Sequence, residues 1–64
     1  MKEYQKRVIE EKAQLEEKHT KLILFTESLE FEHLNRSEQL LLMKQDIIME
    51  LYSEVLAERI ASFA

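Results

Sequence analysis

The sequence predicts an all-α fold: an antiparallel two-helix hairpin that assembles as a homodimeric four-helix bundle or a higher oligomer. Three observations lead there. The 64 residues include no glycine, no proline and no cysteine, and β-hairpins draw on Gly and Pro for turn angles that other residues adopt reluctantly. Apolar residues recur at helical spacing in two long segments, separated by a stretch where the period slips. The two segments carry apolar faces of unequal width, and the wider one needs more than one neighbour.

A chain of this length holds one core, so a single domain is predicted over 1–64. Helix 1 is placed over about 2–29. Tyr4, Val8, Leu15, Leu22 and Leu29 fall within about 60° when projected at about 100° per residue, which makes a narrow seam. Four of them are seven apart, like one position of a heptad. The companion positions Glu11 and Lys18 are charged and only Phe25 is apolar, so the seam is half of a coiled-coil interface. Glu3 with Arg7, Lys6 with Glu10, Arg7 with Glu11, Lys12 with Glu16 and Glu17 with Lys21 are opposite charges four apart, which support the solvated faces.

The turn is placed at about 30–35, within the stretch ESLEFEHLNRSE. Phe31 and Leu34 are too apolar for a free loop and are expected to fold back under it. With no glycine available, an Asn or His is the residue expected to take a left-handed angle at the end of helix 1. Asn35 is the predicted N-cap of helix 2, with Glu38 completing a capping box.

Helix 2, over about 36–63, presents apolar residues across about 200° of its circumference at the same angular step. One partner helix covers about half of that arc. Because one core below about 70 to 80 residues seldom supplies more than about 3 to 5 kcal/mol, a second copy is the expected cover. Leu41, Ile48, Leu51, Tyr52, Val55 and Leu56 form the predicted oligomer interface.

Composition narrows the chemistry. The net charge of −4 and pI near 5.1 argue against binding a nucleic-acid backbone. Charge is unevenly spread, with six basic and five acidic residues in 1–21 against three and eight in 22–64. No apolar run approaches a membrane span and no secretory leader is evident, so a soluble, cytoplasmic chain without a membrane partner is expected. Glycine phosphate loops, thiol chemistry and Cys-ligated metal are excluded by composition. His19 and His33 share no face with a second ligand, so no metal, no cofactor and no catalytic residue is predicted. His19 lies beside the helix 1 seam and reads as a partly buried interface histidine.

Two clusters remain as candidate binding sites. Asp46, Glu50, Glu54 and Glu58 recur every four residues as an acidic ridge that could dock on a basic surface of a target protein. Folding the hairpin about residues 30–35 also brings Lys2, Tyr4, Lys6 and Arg7 near Arg59 and Phe63. That end would be basic and aromatic, suited to a small anion or nucleotide held between rings and guanidinium groups.

The segments YQKRVIEEKAQLEEKHTKL, then Phe25, then Phe31 and Leu34, then EQLLLMKQ and YSEVLAERIASF resemble a family of short phage and prophage proteins, catalogued as related to an open reading frame of a crAss-like phage. The resemblance runs from Tyr4 to Phe63, and His19 departs from it where Ile or Leu is expected. It implies a phage-encoded accessory protein in the bacterial cytoplasm and brings no catalytic residues. The leading expectation is therefore a non-enzymatic protein that binds and modulates a host protein, such as a component of antiviral defence. The alternative is an oligomeric sponge that sequesters a nucleotide second messenger at inter-subunit pockets. A structural or assembly component is a third expectation.

Overall fold

A computed structural model describes residues 1–63, which form three helices: α1 (Glu3–Thr26), α2 (Leu29–Glu32) and α3 (Arg36–Ala61). The two long helices pack against each other as a hairpin, in a rod of 47 × 14 × 13 Å. Their antiparallel register is marked at one end by Tyr4 against Phe63 and midway by His19 against Asp46.

Val8, Leu15 and Leu22 of α1 are buried, as the seam predicts, and Val8 and Leu15 meet Leu56 of α3, the only large side chain among the described residues that is fully buried. Met49, Ile60 and Phe63 pack onto Val8, Leu15 and Leu56. Leu56 is thus a correction to the predicted oligomer interface: it faces α1 with 0% exposure, while Leu41, Ile48, Leu51, Tyr52 and Val55 stay 42–59% exposed. The physical reason lies in the helical projection. Leu42, Met49, Leu56, Ile60 and Phe63 centre about 100° from Ile48, so the broad face is two adjacent stripes, one closed by α1 and one open.

Helix 1 is shorter than predicted. It ends at Thr26, because Ser28 starts a new helical turn: its Oγ donates to the Phe25 carbonyl at 2.6 Å and accepts from the Phe31 N–H at 3.2 Å. Leu29 therefore leaves the seam and stands 71% exposed on α2. The expected left-handed residue is absent among the described residues. Glu27 and His33 close α1 and α2 in right-handed conformations instead, the Glu27 N–H bonding back to the Leu24 carbonyl and the His33 N–H to the carbonyls of Glu30 and Leu29. Such tight bonds satisfy orphan carbonyls without glycine.

Phe31 and Leu34 are half-buried as expected, with Phe31 edge-on to Phe25 at 6.3 Å between ring centres. Asn35 caps α3, its Oδ1 accepting from the Glu38 N–H at 2.8 Å. Gln39 then ties the turn down, donating from Nε2 to the Phe31 carbonyl at 2.9 Å.

Leu56→Ala should destabilise the fold by about 2 to 5 kcal/mol, as a buried leucine truncation leaves a cavity. Asn35→Ala should cost about 1 kcal/mol through loss of the cap. Urea denaturation followed by circular dichroism measures both, and a Leu56→Ala effect below that of Asn35→Ala would contradict the seam described here.

Candidate functional site

The open end of the hairpin holds a concavity of about 720 Å³ lined by Met1, Lys2, Tyr4, Gln5, Arg59, Ser62 and Phe63. Local folding builds it from both termini. Tyr4 lies in line with the α1 seam, so its ring reaches across the hairpin to Phe63, edge-on with centres 5.9 Å apart and planes at 81°. Gln5 is 7% exposed and its Oε1 accepts from the Lys2 N–H at 3.0 Å, which anchors the first turn of α1 and holds Lys2 at the rim. Arg59 lies in the last turn of α3, where a cation complements the helix dipole, and Ser62 closes that helix by donating to the Arg59 carbonyl at 2.6 Å.

Lys2, Tyr4, Arg59 and Phe63, brought together in the sequence reading, all line this concavity; Lys6 and Arg7 stand on the same turn of α1 but outside it. Gln5 and Ser62 were missed. Gln5 three residues after Lys2 is half of a capping box, but Lys is not a capping residue, so spacing gave no signal. Chemically, the concavity offers two cations, two aromatic rings and the hydrogen-bonding groups of Gln5 and Ser62, a set suited to a flat, anionic molecule.

The acidic ridge does not survive folding as one surface. A four-residue step drifts by about 40° around the helix, so four acids spread over about 120°. Asp46 falls at the α1 seam, where its Oδ1 lies 2.5 Å from Nε2 of half-buried His19; Glu50, Glu54 and Glu58 remain exposed. His19 and Asp46 are 27 apart in sequence, beyond the reach of any helical spacing rule. Lys12 with Glu16 and Lys21 with Glu17 are the other ion pairs among the described residues, both at the predicted four-residue spacing.

A family model described as Sequestin matches residues 2–62. The chain belongs to the Sequestin family. The match takes in both long helices and every residue of the concavity except Met1 and Phe63. No curated protein and no solved structure matches this Sequestin-family chain. No helix among the described residues is long and apolar enough to cross a membrane.

A double-mutant cycle on His19→Leu and Asp46→Leu should give a coupling of about 1 kcal/mol, with the double variant at least as stable as either single one, because each single change leaves a polar partner unmatched. Additive effects would place the pair outside the folding energetics.

Proposed function

We propose that this Sequestin-family protein acts without catalysis, as a sponge that holds a small anionic ligand of the nucleotide class at the open end of its hairpin. The observation that carries the reading is the family match, whose description denotes sequestering, joined to a concavity that pairs Lys2 and Arg59 with the rings of Tyr4 and Phe63. A guanidinium grips phosphate with paired N–H groups and an aromatic face stacks on a base, so both halves of a nucleotide find a partner. Lys6 and Arg7 add positive potential at the rim. Oligomerisation, an origin in phage, silencing of a host defence signal and residence in the bacterial cytoplasm belong to the same reading.

Binding to a host protein through Glu50, Glu54 and Glu58 has less support, since Asp46 is withdrawn from that ridge by His19. A sponge also explains why the concavity combines charge with aromatic surface.

Thermal denaturation against a panel of cyclic and linear nucleotides tests this directly. A ligand at one hundred times its Kd should stabilise the fold by about 2.7 kcal/mol, raising Tm by roughly 10 °C or more for a domain of this size. Arg59→Ala and Tyr4→Ala should each weaken binding about tenfold or more, and Arg7→Ala less. An unchanged Tm across the panel at saturating concentrations would reject the reading.

A further inference from the structure

Beside its seam with α1, α3 carries Leu41, Ile48, Leu51, Tyr52 and Val55, all 42–59% exposed, in a stripe that no other described residue closes. Along it Leu41, Lys44, Ile48, Leu51, Val55 and Glu58 alternate three and four apart, the spacing of a coiled-coil seam. α3 therefore has two heptad seams, of which the hairpin uses one. α1 has no second seam: its exposed large apolar residues Tyr4, Ile9, Ile23 and Leu24 are scattered among charges.

The charges on the open stripe select its occupant. Its cations are Lys44, in the N-terminal half of α3, and Arg59, seven residues after Tyr52; its acids, Glu54 and Glu58, lie in the C-terminal half, so the two halves carry opposite net charge. All four are exposed, and none forms an ion pair among the described residues. Reversed end for end, the stripe is its own complement. Centred between Ile48 and Leu51, two copies running antiparallel set Ile48 of each against Leu51 of the other. Lys44 then stands level with the partner's Val55, next to Glu54 and within one turn of Glu58. A parallel pairing would put Lys44 against Lys44 and Glu58 against Glu58, which is unfavourable at both places.

We infer that a second copy of this chain docks on this stripe, antiparallel, through α3 alone, giving an isologous two-fold dimer. Each hairpin's concavity then lies level with the first turn of the partner's α3, and the two concavities sit at opposite ends of the dimer. The inference deepens the oligomerisation in the proposed reading and holds whatever those concavities bind, so its failure would leave ligand binding at each hairpin standing and the converse.

Sedimentation equilibrium and a spin-label distance decide it. The chain should sediment as a dimer, and Lys44→Glu should raise the dissociation constant about tenfold or more without changing helicity. Adding Glu54→Lys and Glu58→Lys to Lys44→Glu should restore it. Because the chain has no cysteine, a label on Ser37→Cys reports orientation, with about 37 Å expected between the two copies in the antiparallel dimer, from 25 residues at about 1.5 Å each. A separation near 10 Å would establish the parallel pairing and overturn the proposal. A monomer at all accessible concentrations would overturn it too, leaving the stripe to a different partner.

Discussion

Leu56 sits at 0% exposure against Val8 and Leu15, and the rest of the hairpin is arranged around that contact. Only four apolar side chains are buried among the described residues, so the seam between α1 and α3 is one side chain deep. The narrowness of α1 sets this limit. A helix with one apolar stripe and charges elsewhere can close one seam and no more, and everything α3 carries beyond that seam remains in solvent.

The absence of glycine shapes the connection in a way that also positions the open end. Ser28, Asn35 and Gln39 supply from side chains the hydrogen bonds that a glycine turn would take from a left-handed backbone. This spends the residues between Thr26 and Arg36 on a short intervening helix and a cap. The resulting register carries Tyr4 to Phe63 at the other end, where the two termini together enclose the concavity. A shift of one residue in the turn would rotate Phe63 away from Tyr4. The chemistry of the open end is thus tied to hydrogen bonds at the closed end, along a rod 47 Å long.

Much of the candidate site could be read before folding, because an antiparallel hairpin pairs residues whose numbers have a nearly constant sum. Tyr4 with Phe63 and His19 with Asp46 obey the same register to within two residues. Lys2 and Arg59 lie a turn or more off it and reach the same concavity from the two helix ends. Gln5 does not follow from the register, since it depends on an uncommon cap, and the His19 pair, though in register, also needs the angular drift that carries Asp46 off its ridge and into the seam. The same drift explains Leu56, which adjoins Val55 in sequence and faces the opposite neighbour. The family's name agrees with a sequestering or binding role.

By itself the sequence determined that the chain is helical, where it turns, which face of α1 is buried and that Asn35 caps α3. These are local properties, set by spacing, capping chemistry and the lack of Gly and Pro. Only the tertiary structure decided how the broad apolar face of α3 divides, because both stripes are equally apolar in sequence and only contact with α1 distinguishes them. It also decided that Asp46 belongs to His19 and that Leu29 belongs to the turn. The first two outcomes depend on the register between two helices, which no periodicity within either helix contains, and the third on the local bonds of Ser28.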